Sequence, residues 1–311
     1  MIATAYGGPE ALRIIDEPTP DPGPGEVKVA VRAAGVNPAD YKSYSGAFGR
    51  DPAALPRRLG MEAAGIVTQV GPGATGPAGP ISIGDEVIAY RVNGGYAAEL
   101  VAPAASLVPK PLSLPWPAAA GLMLAGATAW HCLVATAVGA ADTVLIHGAA
   151  GGVGLMATQL AIGRGATVIA TASEPHHELL REFGAQPVTY GQGLAERVRA
   201  AAPAGITAAL DLIGTDEAVD VSLALVSDRA RIATIAAFGR AGKAGIKALG
   251  GAPGADPGTG IRMAARTELA RLAGDGQIQV IVAATFPLAG AADAHRAIMT
   301  GHTSGKIALV P

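Results

Sequence analysis

Cysteine is nearly absent from this chain. Cys132 is the single one in 311 residues, which excludes an internal disulfide. No excess of positive charge exists either: 23 Lys and Arg stand against 25 Asp and Glu, a formal net charge of -2. A nucleic-acid partner, which needs a clustered basic surface, is therefore not expected. The opening Met1-Ile-Ala-Thr-Ala-Tyr-Gly-Gly lacks a basic segment followed by an apolar one, so no signal peptide is expected. No uninterrupted apolar run reaches spanning length, because Gly, Pro and charges break each one, and no membrane partner is expected. These absences together predict a soluble, cytoplasmic protein. What the chain does have is 50% apolar residues with only 15% charged, a balance that suits a buried α/β sheet. Its length allows two domains and a sizeable core.

Two rhythms divide the sequence. Up to about residue 112 the chain is rich in Pro and Gly and carries short alternating segments such as Val27-Lys-Val-Ala-Val-Arg32 and Ile66-Val-Thr-Gln-Val70. Turn clusters such as Asp21-Pro-Gly-Pro-Gly25 separate them, which predicts a compact all-β domain of short strands. Residues 117–138 are long, apolar and almost free of turn signals, and predict a helix. From Thr143 the pattern alternates. Strands are expected at 144–147, 167–171, 187–190, 208–213 and 231–235, with helices over 175–183 and 216–226 between them. Such alternation predicts a parallel, doubly wound sheet. The glycines from Gly239 to Gly260 predict a mobile or ligand-covering loop region, followed by a strand at 278–282, a helix at 289–299 and a strand at 307–310.

The stretch Val144-Leu-Ile-His-Gly-Ala-Ala-Gly-Gly-Val-Gly154 runs from an apolar strand into a small-residue turn, and a helix-like segment from Gly152 to Ile162 follows. Such a turn can deliver backbone N–H groups and a helix N-terminus to a pyrophosphate. The match is A-x-G-x-x-G across Ala149, Gly151 and Gly154. The alternative is an ordinary strand-to-helix turn. Dinucleotide folds place an acid at the end of the second strand, about 20 residues further on, to hold the ribose 2′-hydroxyl. Counting along 165–173 puts Ser173 at that position. A neutral hydroxyl removes the charge that would repel a 2′-phosphate and favours NADPH. His176, His177 and Arg181 are nearby candidate cations. Glu174 is the opposing feature: turned inward it would favour NADH, and as a solvated cap residue it carries no preference. The two histidines also read as an exposed helix start.

In their order along the chain, Ala34-Gly-Val-Asn-Pro-Ala-Asp40, Gly60-Met-Glu-Ala-Ala-Gly-Ile-Val67, Gly84-Asp-Glu-Val87, Gly126-Ala-Thr-Ala-Trp130, the turn at 147–154 and Gly305-Lys-Ile form a set. This set resembles the medium-chain dehydrogenase/reductase superfamily, in its zinc-independent quinone oxidoreductase and enoyl reductase branch. The resemblance runs nearly end to end. It implies an α/β protein with a GroES-like β domain over 1–115, completed by 276–311, and a Rossmann domain over 116–275. It also implies a nicotinamide cofactor in the cleft between them, and a homodimer. Zinc-dependent relatives carry a cysteine near Asn37, a histidine at Met61 and further cysteines in a structural lobe. With Asn37, Met61 and one cysteine here, no metal site is expected.

By the same resemblance, Asn37 and Thr128 lie beside the nicotinamide or its ribose, and Ala150, Gly151, Gly152 and Val153 form the pyrophosphate turn. Ser173, His176 and Tyr190 lie at the adenosine end, Ile213 under the ring system, and Phe238 with Gly239 at the carboxamide pocket; Lys306 belongs to the same cofactor-binding set. Asn37 also reads as a turn residue before Pro38, and Tyr190 and Phe238 as core aromatics. Many relatives carry a tyrosine, proposed to reach the substrate, where this chain has Phe48. Phenylalanine cannot donate a proton, which leaves Tyr41, Lys42 and Tyr44 as candidate catalytic substitutes, with water as the alternative source. The expected activity is NADPH-dependent reduction of a small-molecule quinone or α,β-unsaturated ketone. A pathway-specific enoyl reductase of secondary metabolism, and an NADPH-binding sensor or structural protein with little catalysis, are the alternatives.

Overall fold

A computed structural model describes residues 1–301 and 303–311. The chain divides into two compact units. The first comprises Met1–Leu124, Arg266–Gly276 and Val280–Pro311, and the second Ala125–Ala265 with Gln277–Gln279.

The first unit is built on a seven-stranded sheet. Its hub is the long strand Glu26–Val36, which pairs antiparallel with Glu62–Val70, with Glu99–Pro103 and with the last strand, Lys306–Val310. Val27, Val29 and Val31 are buried on one face of the hub, while Arg32 on the opposite face is exposed. The core gathers these valines with Leu59, Val67, Tyr96, Ile307 and Leu309. Two register shifts bend the Glu26–Val36/Glu62–Val70 pair. A strand at Val282–Pro287 closes one edge, pairing parallel to Lys306–Val310. This corrects the expectation of a strand at 278–282: Ile278 is buried outside any strand, and the alternation of half-buried and exposed side chains begins at Val282.

The second unit is a six-stranded parallel sheet. In spatial order its strands are Gln186–Val188, Thr167–Thr171, Thr143–His147, Ala208–Asp211, Ile232–Thr234 and Lys247–Ala248. The chain starts in the middle, winds to one edge, then returns to fill the other side. This creates a switch point between Thr143–His147 and Ala208–Asp211, where α/β sheets bind ligands beyond their strand ends. Leu145, Ile169, Val198, Ala209, Val219 and Ile232 pack its core. Near-continuous apolar strands are expected of a sheet covered on both faces.

Two other expectations are corrected. The glycine-rich segment 239–260 is not simply a loop. It opens with the helix Phe238–Ala244 and adds the edge strand Lys247–Ala248, because the buried Ala241, Ile246 and Leu249 draw it onto the sheet. The helix Trp116–Ala135 is, by length and composition, apolar enough to cross a membrane, contrary to the reading of interrupted apolar runs. Most of it, 78%, is buried inside the protein, so its apolar surface is core surface.

Leu145 sits fully buried in the central strand Thr143–His147. Leu145→Ala is expected to cost about 2–5 kcal/mol in urea unfolding, since the rigid sheet cannot collapse into the space left. A cost below about 1 kcal/mol would place Leu145 outside a close-packed core.

Candidate functional site

At the end of Thr143–His147 the chain makes a tight reversal. Gly148 takes a φ of +70°, a conformation L side chains rarely adopt. The Ala149 N–H donates to the Thr171 carbonyl and the Gly151 N–H to the Gly148 carbonyl, and the helix Gly152–Gly163 begins at once. A Cβ on Gly154 would lie 2.3 Å from the Gly148 oxygen and 2.6 Å from the Ala149 Cα, so glycine is what lets the helix approach the turn. Ala150, Gly151, Gly152 and Val153 remain partly open to solvent. The first N–H groups of a helix lack intrahelical acceptors and carry the positive end of its dipole. An open, small-residue turn at such a terminus fits a pyrophosphate.

The other expected cofactor residues of this unit follow the carboxyl ends of the neighbouring strands. Ser173 comes two residues after Thr171, Tyr190 two after Val188, Ile213 two after Asp211, and Phe238 four after Thr234. Tyr190 is 54% and Ile213 50% exposed, so neither is a core residue. Phe238 is half-buried and Gly239 exposed. Ser173 opens the short turn Glu174–His176, and its side chain makes no capping bond. Glu174 faces solvent, and His176 is half-buried. The other two candidate cations are engaged: His177 Nε2 bonds the Ala172 carbonyl at 3.1 Å, and Arg181 pairs with Glu178 at 3.3 Å.

Groups absent from the sequence reading hold these ends in place. Buried Asp211 accepts from the N–H groups of Ile213 (3.1 Å) and Gly214 (2.7 Å), and from the Thr234 hydroxyl (2.7 Å). Thr234 accepts in turn from the Ala236 and Ala237 N–H groups. One carboxylate thereby shapes two strand exits. Arg197 donates to the carbonyls of Thr189, Gly191 and Gln192, which fixes the segment around Tyr190. An acid closing an apolar strand just before Leu-Ile-Gly was the available signal for Asp211. Thr128 is buried, and its hydroxyl accepts from Arg262 Nη1 at 3.1 Å.

The expected residues of the first unit have other employment. Asn37 caps the helix Pro38–Ser45 in a capping box with Asp40. Its amide nitrogen donates to Glu62 Oε1 (3.0 Å) and the Gly35 carbonyl (3.3 Å), while its oxygen accepts from Lys306 Nζ. Lys306 completes its three donors with the Val36 carbonyl (3.2 Å) and Glu62 (3.1 Å). Asn37 and Lys306, expected in the cofactor-binding set, thus already have partners for their polar side-chain atoms inside this unit. The expectation for Tyr44 is corrected. Tyr44 is 1% exposed, its hydroxyl is 2.7 Å from His295 Nδ1, and burial pushes its pKa further up, so it is no proton donor to a substrate. Burial also raises Tyr41, which is half-buried against the same core. Lys42 is half-buried, and Phe48 is exposed. Among the described residues no group of three or more His, Cys, Asp or Glu could hold a metal ion.

Similarity to known proteins agrees with this geometry. The family model for the alcohol dehydrogenase GroES-like domain matches residues 23–112, and that for zinc-binding dehydrogenase matches 183–309. A mycobacterial protein solved with NADPH is 33% identical, with a TM-score of 0.85, over 100% of this chain and 98% of its own. A mycobacterial quinone oxidoreductase gives 33% identity, a TM-score of 0.80 and the same coverage. The chain belongs to the medium-chain dehydrogenase/reductase superfamily. Among curated members, the mouse synaptic vesicle membrane protein VAT-1 homolog is 33% identical over 220 residues, 69% of this chain and 53% of that protein. Phthioceranic/hydroxyphthioceranic acid synthase of Mycobacterium tuberculosis is 41% identical over 185 residues, 57% of this chain and 8% of the synthase. The chain thus spans about half the length of the first of these superfamily members and a small part of the other.

His147 leads into the glycine turn fully buried, with Nε2 unpartnered among the described residues and Nδ1 3.4 Å from the Thr171 hydroxyl. Burial lowers its pKa from 6.5 to about 4. The unfolded chain therefore takes up a proton at a pH where the folded one refuses it. Stability from this group is present above 6.5 and declines as pH falls toward 4. His147→Gln is expected to flatten the acid side of the stability curve, relative to the parent, by roughly 1 kcal/mol per pH unit across that window. Urea unfolding at pH 7 and pH 4.5 checks this; parallel curves would contradict it.

Proposed function

We propose that this protein is an NADPH-dependent reductase that transfers hydride to a conjugated carbonyl, a quinone or an α,β-unsaturated ketone, without a metal. The observation that carries the reading is the open turn at Ala150–Val153 heading a helix at the switch point of a parallel sheet. The mycobacterial relative solved with NADPH and the mycobacterial quinone oxidoreductase support it.

The turn's N–H groups bind the pyrophosphate. Ser173 meets a 2′-phosphate with a neutral hydroxyl, and His176 lies three residues on. Ile213 and Phe238 offer apolar surface to the rings, with Gly239 exposed beside Phe238. When bound, the reduced nicotinamide supplies the hydride. Zinc does not fit the residues present: Asn37 and Met61 stand where zinc-dependent members place a cysteine and a histidine, and the Asn37 amide is already bonded to Glu62 and Lys306. With Tyr44 in the core and phenylalanine at 48, the proton that completes the reduction comes from water. The same reading makes the protein a cytoplasmic homodimer.

The synthase relative favours a second reading, an enoyl reductase acting on thioesters. NADPH oxidation measured against quinones, enones and enoyl thioesters separates the two, with turnover expected on quinones or enones and NADPH bound more tightly than NADH. Turnover on thioesters alone would favour the second reading. NADPH binding without turnover on any acceptor would contradict both and leave a cofactor-binding protein.

A further inference from the structure

Tyr190 is 54% exposed, yet the backbone that carries it is pinned on both sides. The peptide before it is held through its carbonyl, since Thr189 O accepts from Arg197 Nε at 3.0 Å. The peptide after it is held through its N–H, since Gly191 donates to Glu217 Oε2 at 3.0 Å. Peptide units are planar, so fixing both fixes the φ and ψ of Tyr190, and with them the direction in which its side chain leaves. The next two carbonyls are held as well, Gly191 by Arg197 Nη2 at 2.9 Å and Gln192 by Nη1 at 2.7 Å. Gly191 and Gly193 take φ values of +98° and +81°, so the chain reverses here in a conformation L side chains rarely adopt. Arg197 comes from the helix Leu194–Ala201 and Glu217 from the helix Asp216–Leu225, and both are half-buried. Surface turns are usually the mobile parts of a domain. Two charged side chains keep this one still.

The pinned turn stands on the same rim as the glycine turn. The Ala149 N–H donates to the Thr171 carbonyl, and the Ala172 N–H donates to the Val188 carbonyl at 3.1 Å. These bonds stitch the exits of Thr143–His147, Thr167–Thr171 and Gln186–Val188 side by side. Tyr190 therefore leaves the sheet two strands from the glycine turn, about 10 Å along the rim, with half-buried Ser173 on the exit between. A dinucleotide whose pyrophosphate sits at Ala150–Val153 lies across the switch point, one nucleoside toward Ser173 and Tyr190 and the other toward Ile213 and Phe238.

We propose that Arg197, assisted by Glu217, is a positioning residue of the cofactor site, holding the Tyr190 ring preformed as a surface on which the adenine of NADPH stacks. The inference rests on the NADPH reading. Arg197 acts through the turn, since each of its three nitrogens is already bonded to a carbonyl of the turn. A base stacks on an aromatic face without needing a matching set of hydrogen bonds. A ring whose backbone is already fixed leaves less ordering to be done on binding. The role is one of affinity, felt by the adenosine half of the cofactor alone.

The test uses Arg197→Ala, Arg197→Lys, Tyr190→Ala and the double variant Arg197→Ala with Tyr190→Ala, with circular dichroism to verify folding. Calorimetric titration with NADPH, and with adenosine 2′,5′-bisphosphate as the adenosine end alone, gives the affinities. Arg197→Ala is expected to weaken both ligands about three- to tenfold, with Arg197→Lys between it and the parent. In kinetics the loss should fall on KM for NADPH and not on kcat. Tyr190→Ala should weaken both ligands about fivefold or more, and adding Arg197→Ala to it should change neither by more than about twofold. Parent-like affinities in folded Arg197→Ala, or a loss for NADPH that spares the bisphosphate, would overturn the proposal while leaving the NADPH reading intact. An undiminished effect of Arg197→Ala in the Tyr190→Ala background would also overturn it, assigning Arg197 to the frame. Should Arg197→Ala not fold, Arg197→Lys, alone and with Tyr190→Ala, answers to the same outcomes. A parent that binds neither ligand would sink the NADPH reading and this inference with it.

Discussion

The candidate site depends on the close approach of the Gly152–Gly163 helix to the turn that precedes it, an approach made at Gly154, where a single added carbon would collide with the Gly148 carbonyl. Because that contact is backbone against backbone, no side-chain rotation can relieve it. The helix axis, its dipole and its unsatisfied N–H groups are thereby set against one spot at the switch point of the sheet. Asp211 and Thr234 extend the same logic to the next two strand exits, so that Ile213 and Phe238 leave the sheet from fixed positions. The sheet supplies the scaffold and the strand ends supply the variable surface, as is general for open α/β folds.

The first unit solves a different problem, that of tying a C-terminal strand to an N-terminal hub. Lys306 and Glu62 form a buried ion pair, and such pairs persist only when the remaining donors and acceptors are satisfied. Asn37, the Val36 carbonyl and the Leu124 N–H complete that set. A second buried network runs from Asp40 through Tyr96 and His295 to Tyr44. Burial raises Asp40 to about 6 and lowers His295 to about 4, so both groups lean toward their neutral forms. The polar side chains of Asn37, Asp40 and Tyr44 are consequently committed to architecture.

What could be read from sequence follows from how local each feature is. The glycine turn was legible because backbone approach alone dictates its residue types, and the parallel sheet because apolar strands alternate with helices. The surroundings of Lys306 and Tyr44 were not legible because their partners lie 269 and 251 residues away, Asn37 and His295 respectively. Tyr44, two residues after Lys42, looks like any candidate acid until the fold brings His295 onto it. Segment 239–260 was read as loop because its glycines are conspicuous and its few apolar residues, Ala241, Ile246 and Leu249, act only once a sheet edge exists to receive them. Arg262 gave no local signal, since its partner Thr128 is 134 residues distant.

The central claim, that this turn holds the pyrophosphate of NADPH, is tested most directly by Gly154→Ala. The substitution adds one methyl group and raises helix propensity, so any loss reflects the contact with Gly148 and Ala149 rather than a weakened helix. Calorimetric titration with NADPH is expected to show tight binding by the parent and affinity weaker by about tenfold or more in a folded Gly154→Ala protein. Equal affinity in the two proteins would contradict the assignment of the turn.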